Sequence, residues 1–333
     1  MKFKKILVWF RNDLRLHDNE MLVEAIAKSD CILPVYFFDP RYFDSTSESL
    51  DSEVVKARFL LESVAALRVS FQNLGGDLLI IQGMPEDHLA HLVTQYEITE
   101  VYHHREVEVK ETEISAHAED LLWKLKINLK HFIGHTLYNK EDLPFPIKDI
   151  PEVFAQFKKK TERDAIVKAC FLAPEHISFV ENTDWGTIPT LEELGLEQRD
   201  FNAEHAVGGE QEGLKHLVAL LEEAAVVDRK KAKVLTDQPG LTSRLSAWLA
   251  VGCLSPRKVY WQVKAAEAKY GANPNFNQLI LGLLWRDYFR FMFKKHGQSF
   301  AREAEMSKAD EQALAKQEEV MQYFKSELDY WGV

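Results

Sequence analysis

One stretch of the sequence combines side chains that suit an anionic, aromatic ligand. Residues 278–295 read QLILGLLWRDYFRFMFKK, an apolar run that contains Trp285, Arg286 and Arg290. Apolar and basic residues recur there at i, i+3 and i+4, which predicts one long helix with a cationic, aromatic edge. Guanidinium groups bind phosphate or carboxylate, and an indole stacks on planar rings. The alternative is a core helix whose arginines lie in ion pairs.

A second segment has hydroxyl groups where they can meet a phosphate. Residues 241–257 read LTSRLSAWLAVGCLSPR, with Thr242, Ser243 and Ser246 near the start of a predicted helix. Free N–H groups and the positive end of the helix dipole stabilise phosphate at such a position. Simple capping of the helix by these hydroxyl groups is the alternative.

The amino-acid composition limits which classes of protein this chain can belong to. A chain of 333 residues with 46% hydrophobic content is long enough for two domains. The net charge of -11 argues against a general nucleic-acid binder, but residues 229–295 hold 13 basic and 3 acidic residues, whereas residues 1–205 hold 23 and 36. Such a basic block attracts polyanions through counterion release, unless it is only a solvated surface.

Neither a membrane span nor a metal site is expected. The apolar runs are too short to cross a bilayer and the first residues lack the features of a signal peptide, so we expect a cytoplasmic protein. Cys31, Cys170 and Cys253 are far apart and fit no metal-binding pattern. Reduced, mostly buried thiols without an assigned chemistry are therefore expected.

The elements that must position these residues begin with an alternation of strands and helices over residues 1–134. The predicted strands are apolar on both faces, which implies a parallel sheet covered on both sides, a Rossmann-like α/β domain. The strands are predicted at residues 5–10, 31–38, 77–82, 100–104 and 128–133, and the helices between them at 20–28, 52–73, 85–96 and 107–126.

The turn after the first predicted strand lacks a phosphate-binding glycine motif. Residues 9–19 read WFRNDLRLHDN instead of G-x-G-x-x-G, which disfavours a dinucleotide site and a plain α/β nucleotide-binding protein. Arg11, Asp13 and Arg15 follow the strand at the edge where open α/β sheets bind ligands. The alternative is that they form structural ion pairs that tie this domain to the next.

The rest of the chain divides into a connector and a helical region. Residues 135–205 are punctuated by prolines and predict a long connector packed on the first domain. Residues 206–333 are predicted to be helical, with helices at 213–228, 242–249, 255–270 and 278–295.

Taken together, the motifs resemble the photolyase and cryptochrome family, and within it the DASH-type cryptochromes. The likeness extends from residue 5 to about residue 300. It rests on six stretches in the family's order: VWFRNDLRLHDN (8–19), PVYFFDPR (34–41), TLYNKEDLPFPIKDIPEVF (136–154), GGEQEGLKHL (208–217), TSRLSAWLAVGCLSPRKVYW (242–261) and LLWRDYFRFMFKKHG (283–297).

The resemblance implies an antenna domain over residues 1–134, which in such proteins can hold methenyltetrahydrofolate, and a helical domain that binds FAD. The family's TSxLS motif, whose residues contact the FAD phosphates, matches Thr242, Ser243, Arg244, Leu245 and Ser246. This agrees with the phosphate site inferred from the hydroxyl groups of the same segment.

The resemblance also implies a DNA-binding surface and an activity. Arg286 matches a position that lines the flavin cavity, Trp285 and Arg290 match positions that face DNA, and Lys230 lies near another DNA contact. The implied activity is light-driven electron transfer from reduced FAD to a cyclobutane pyrimidine dimer, preferentially in single-stranded DNA, or blue-light photoreception. No catalytic side chain is assigned.

A cluster of titratable residues lies near the family's folate contacts, although the match is loose. We expect a solvated start of a helix, and a folate role is the alternative. The cluster consists of His103, His104, Glu106, Glu108, Glu111 and Glu113.

The sequence departs from the family at several positions. Gly282 stands where the family usually has a glutamate that contacts the dimer, and Lys230 and Val234 stand near its usual arginine and tyrosine. Val333 ends the chain before the family's closing segment. We therefore expect a partial FAD-binding domain that binds FAD poorly, and an uncovered apolar side of helix 278–295 that favours association with a partner. A non-catalytic remnant or binding module without FAD is the alternative function.

Overall fold

The computed structural model describes residues 3–43, 50–197, 206–225 and 243–296. The strands are β1 (Lys5–Phe10), β2 (Cys31–Phe38), β3 (Leu79–Gln82), β4 (Glu100–His104) and β5 (Asn128–Phe132). They form one parallel sheet in the order β3-β2-β1-β4-β5. The predicted α/β class is confirmed, and β1, β2 and β4 have the predicted bounds.

Helices cover both faces of the sheet, because consecutive residues of a strand point to opposite sides. The sheet helices are α1 (Glu20–Lys28), α2 (Leu50–Gln72), α3 (Pro85–Gln95) and α4 (Val109–Lys124). Ile6 and Val8 lie in a core with α1 and α2, whereas Leu7 and Trp9 lie in a core with α3 and α4. The chain reverses its direction of travel across the sheet between β1 and β4, which places a ligand crevice outside the carboxyl ends of these two strands.

The later helices extend the core on the α1 and α2 side. They are α5 (Phe154–Asp164), α6 (Glu210–Ala225), α7 (Ser246–Ala250), α8 (Pro256–Tyr270) and α9 (Pro274–His296). Between β5 and α5 the chain contains one short 3-10 helix, Ile147–Asp149. The domain boundaries at residues 134 and 205 stay predictions.

The expectation of an uncovered apolar side on helix 278–295 is wrong. Leu279 and Leu283 are fully buried, and Phe291 and Met292 are buried as well. Helix α9 contacts α5, α6 and α8. Residues distant in sequence thus provide the cover, including Phe157, whose ring contacts those of Tyr288 and Phe291. Exposed apolar surface on this helix therefore gives no reason to expect association.

The segment after β1 ties the sheet to the helices. Arg15 donates hydrogen bonds to the carbonyl oxygens of Gly252 (2.8 Å) and Gly134 (2.9 Å). Asp18 pairs with Arg257 at 2.8 Å. Glu210 accepts a 2.7 Å hydrogen bond from the amide of Leu16. Arg15 thus ties the sheet to the helices, but through carbonyl groups rather than through the structural ion pairs of the alternative.

Arg11 and Asp13, by contrast, find their partners within the sheet region. Arg11 pairs with Glu111 and donates to the hydroxyl of Ser115. The imidazole of His104 lies 2.7 Å from the carboxylate of Asp13. Both residues therefore take part in structural contacts, but they do not themselves bridge to the later helices.

No helix in the described ranges is long and apolar enough to cross a membrane. In the same ranges, no three His, Cys, Asp or Glu side chains are grouped in a way that could hold a metal ion. The three cysteines are free thiols, with Cys31 and Cys253 buried and Cys170 partly buried.

Candidate functional site

Helix α9 presents its tryptophan within an aromatic stack. The ring of Trp285 is parallel to that of Phe154, with centroids 3.5 Å apart and an interplanar angle of 11°. Phe289, one turn further along α9, stacks at 5.4 Å and 22°. Aromatic contacts of this kind fix the plane of the indole. The side chain is partly exposed and packs on the core.

Arg286 is a partly buried cation whose hydrogen bonds go to neutral groups. It donates to the carbonyl oxygens of His135 and of Leu249, the latter at 3.0 Å. Burial, and secondarily the charge of Arg290, lowers the pKa of Arg286 to about 9. Because carbonyl oxygens do not neutralise a full charge, this guanidinium favours a nearby anion. The donor chemistry of Arg286 thus fits a phosphate-bearing cofactor.

Asp287 holds the start of the connector against α9. Its carboxylate accepts hydrogen bonds from the amides of Leu137 (2.9 Å) and Tyr138 (3.0 Å). Burial raises its pKa to about 7 despite these bonds. Our sequence interpretation gave Asp287 no role. The available signal was the single acid of a helix that is otherwise mostly apolar or basic, a position that an unpaired carboxylate rarely occupies.

Arg290 points to the end of β4. Its guanidinium donates to Glu106, which is only 5% exposed. Asn12 donates to the other carboxylate oxygen of Glu106 at 3.3 Å. Burial alone would raise the pKa of Glu106, but the charges of Arg290 and Arg11 hold it below its usual value. Glu106 is therefore ionised, and it joins the sheet to α9.

The histidines and acids near the end of β4 are mostly buried. His103 and His104 are fully buried, and Glu106 and Glu111 nearly so, whereas Glu113 is exposed. The expectation of a solvated helix start is therefore wrong for all but the outermost residues. These side chains follow the carboxyl end of a central strand, where the fold covers them.

Glu108 lies beside Glu106 in the crevice at the ends of β1 and β4. Burial and the charge of Glu106 raise the pKa of Glu108 to about 7. The imidazole nitrogens His104 Nε2 and His135 Nε2 are buried without a hydrogen-bond partner in the described part of the chain. This crevice therefore has polar atoms that a bound ligand could use.

The predicted phosphate segment is only partly described. Arg244 pairs with Glu223 at 2.8 Å on the surface, and Leu245 is fully buried. Ser243–Leu245 form a 3-10 turn, and Ser246 begins α7. No side-chain hydrogen bond caps that helix at Leu245. Leucine has no hydroxyl group, and capping by Thr242, Ser243 or Ser246, the alternative role of this segment, stays a prediction.

Two predicted site residues, Thr242 and Lys230, lie outside the described residues, as does Val234. The structure brings Arg286, Arg290 and Trp285 together on α9, next to the connector and the end of β4. The predicted roles of the site residues in binding stay predictions.

Sequence comparison agrees with the fold. A family model described as DNA photolyase matches residues 6–175. A cryptochrome DASH of Gloeobacter violaceus is 40% identical over 303 residues, which is 89% of this chain and 60% of that protein. The blue-light photoreceptor PHR2 of Arabidopsis thaliana is 34% identical over 87% of this chain and 69% of its own length.

Structure comparison gives the same result. A cryptochrome of Synechocystis has 35% sequence identity and superposes with a TM-score of 0.76 over 89% of this chain and 63% of its own length. The parallel sheet and the following helices are those of a photolyase-type protein. The chain belongs to the photolyase and cryptochrome family, and its relatives place it in the DASH branch. It spans about 60% of the length of the DASH relative named above.

Proposed function

We propose that the chain is part of a light-driven flavoprotein that binds FAD and acts on cyclobutane pyrimidine dimers in single-stranded DNA. The observation that supports this most strongly is its similarity to a DASH cryptochrome over 89% of its residues. Because relatives across this span are named as cryptochromes and photoreceptors, a remnant without FAD is not favoured.

In this proposal the chain's residues bind and orient the cofactor and the DNA. Thr242, Ser243, Arg244, Leu245 and Ser246 contact the cofactor phosphates, and Arg286, which donates to Leu249 of α7, provides a partly buried positive charge. FAD, when bound and reduced, supplies the light-driven electron that splits the dimer.

The DNA contacts fall on the same helix. Trp285 offers an aromatic face for a base turned out of the stack, and its position is fixed by Phe154. Arg290 and Lys230 neutralise phosphates of the DNA backbone, so DNA binding should weaken as the salt concentration rises. Gly282 leaves the pyrimidine edge without the usual carboxylate contact. Slower repair than in relatives with a glutamate there is expected.

Two further roles belong to this proposal. Methenyltetrahydrofolate as an antenna would occupy the crevice beside Glu106 and Glu108, where buried polar atoms lack partners. A cytoplasmic location is also proposed. Blue-light photoreception is the second candidate function, favoured by the similarity to PHR2 of Arabidopsis thaliana.

The first test is the absorbance of the purified chain between about 300 and 500 nm, where oxidised flavins and folates absorb. Flavin bands are expected, and Arg286→Gln should reduce the bound flavin, whereas Arg163→Gln, a change to an exposed residue, should not.

The second test measures repair. The same samples are mixed with a dimer-containing oligonucleotide, and the restored thymines are counted in light and in darkness. Flavin without light-dependent repair would favour photoreception, and no flavin at all would contradict the proposal.

A further inference from the structure

The contact between Glu106 and Arg290 is asymmetric in its exposure to solvent. The Glu106 side chain is 5% exposed, whereas that of Arg290 is 15% exposed. Glu106 follows β4 and is fixed by the amide of Asn12. The carboxylate is therefore held at the sheet, and Arg290 is the more exposed of the two partners.

The surroundings keep this ion pair together. His135 Nε2 lies 3.1 Å from the Oε1 atom of Glu106 but makes no hydrogen bond. Burial holds the pKa of His135 well below its usual value, so the imidazole is neutral and does not compensate the carboxylate. A buried carboxylate without a cation is strongly unfavourable. Glu106 thus binds Arg290 strongly.

Arg290 is at the same time one of the residues proposed to meet DNA. An anionic ligand at α9 has to compete with Glu106 for this guanidinium, since a carboxylate and a phosphate use the same donors. The competition raises the cost of binding any anion that reaches the helix there.

We propose that Glu106 is a positioning residue for Arg290, which ties the guanidinium to the end of β4 and withholds it from anionic ligands at α9. This inference rests on the proposed function of α9 as the DNA-facing helix. It assigns to Glu106 the control of how much Arg290 contributes to nucleic-acid binding.

The test compares wild type with Glu106→Gln, which keeps the shape of the side chain and its carbonyl acceptor for Asn12. Binding of a fluorescent oligothymidine is measured over a range of salt concentrations. We expect affinity to rise about tenfold, and the dependence of log affinity on log salt to steepen by about 0.7, the effect of one more phosphate contact on a single strand. Adding Arg290→Gln should reverse both changes.

Glu86→Gln is the matched control, because Glu86 pairs with Arg41 in the sheet region. It also removes one negative charge from an arginine's ion pair, but away from α9, and Arg41 keeps its pairing with Asp39. An equal gain in this control would overturn the proposal, and so would an unchanged salt dependence in a folded Glu106→Gln protein. A merely structural role for Glu106 predicts no change in that dependence.

A second measurement separates this inference from the proposed function. If neither wild type nor Glu106→Gln binds the oligonucleotide, the proposed DNA contact is wrong. The inference is then tested with sulfate alone as the anion. Sulfate should then raise the melting temperature of Glu106→Gln more than that of Glu86→Gln, and equal increases would overturn the inference. If Glu106→Gln does not fold, Glu106→Asp replaces it and is expected to give smaller changes in the same direction. The absence of these changes in Glu106→Asp would also overturn the inference.

Discussion

Two junctions connect the parallel sheet to the later helices, and they differ in how completely their polar groups are paired. The first junction is the segment 11–19 against Glu210 and residues 252–257. Arg15, Asp18 and Glu210 each have several partners there, and all three are buried. Groups satisfied this fully can hold only one arrangement of the chain.

The second junction consists of Glu106 and Glu108 at the end of β4 against Arg286 and Arg290 in α9. Here Arg286 is held by carbonyl groups, Glu108 has a pKa raised to about 7, and Arg290 is partly exposed. The first junction therefore fixes the position of the helices on the sheet, whereas the second has incompletely paired polar groups that could bind a ligand. Substitutions in the first should affect folding, and those in the second should affect binding and pH dependence.

The largest effect is expected for Gly252→Ala in the first junction. Gly252 has a φ of +71°, and a Cβ there would lie 1.9 Å from the carbonyl oxygen of Asn12. Backbone strain and the clash should together lower the free energy of unfolding by about 3 kcal/mol or more. Urea unfolding followed by circular dichroism measures the change.

Gly75→Ala is the control for this substitution. Gly75 has a similar φ of +85°, but nothing lies within 4 Å of its added Cβ. Only the cost of the left-handed conformation, about 1 kcal/mol, is expected there. Equal losses in the two variants would mean that the close approach of Gly252 to the segment after β1 does not matter.

A smaller loss is expected for Glu210→Gln in the same junction. Both carboxylate oxygens accept hydrogen bonds, one from the amide of Leu16 and the other from the ring of His17 at 2.6 Å. A glutamine must turn its NH₂ group toward one of these donors and leave it unpaired, at a cost of about 1 to 3 kcal/mol.

Glu212→Gln tests whether this loss is specific to the junction. Glu212 is in the same helix turn, but it pairs with Lys215, whose side chain is 71% exposed, and should change stability by less than about 0.5 kcal/mol. If thermal unfolding shows equal shifts for the two variants, the hydrogen bonds of Glu210 do not stabilise the first junction.

The two junctions also differ in how far the sequence predicts them. Strands β1 and β2 were predictable because their apolar runs are nearly continuous. The hydrogen-bond partners of the charged residues were not predictable, because they are distant in sequence. Arg15 and Gly252, like Arg290 and Glu106, are more than 180 residues apart. A charged residue shows in the sequence that it needs a partner but not which one, and so the choice between structural pairing and ligand binding stayed open.

The errors of sequence interpretation have the same origin. Glu106 and Glu111 looked like a solvated helix start because their local sequence is polar. Their burial comes from contacts with residues elsewhere in the chain, such as Arg290 for Glu106 and Arg11 for Glu111. The cover of α9 was missed because Phe154 and Phe157 lie more than 100 residues before it. Helical periodicity reveals an apolar face, whereas the surface that buries it is a property of the fold.

The smallest effect is expected for Glu108→Gln in the second junction, where it should appear as a change in pH dependence. Burial and Glu106 raise the pKa of Glu108 from 4.5 to about 7 in the folded chain. The folded state therefore binds this proton more tightly than the unfolded state, and wild-type stability falls as pH rises from the unfolded pKa through the folded one. Glutamine cannot ionise, so the variant avoids that loss.

Urea unfolding at about pH 5 and about pH 8 measures this difference. The free energy of unfolding of Glu108→Gln, relative to wild type, should rise by about 1 kcal/mol between them, a value reduced for the partial exposure of the side chain. Buried neutral histidines such as His103 act in the opposite direction below their usual pKa, but they are present in both proteins and cancel. Glu113→Gln, a change to an exposed residue of α4, should show no such rise. An equal rise there would mean that the second junction does not hold Glu108 in a special environment, and its contrast with the first junction would then depend on Arg286 and Arg290 alone.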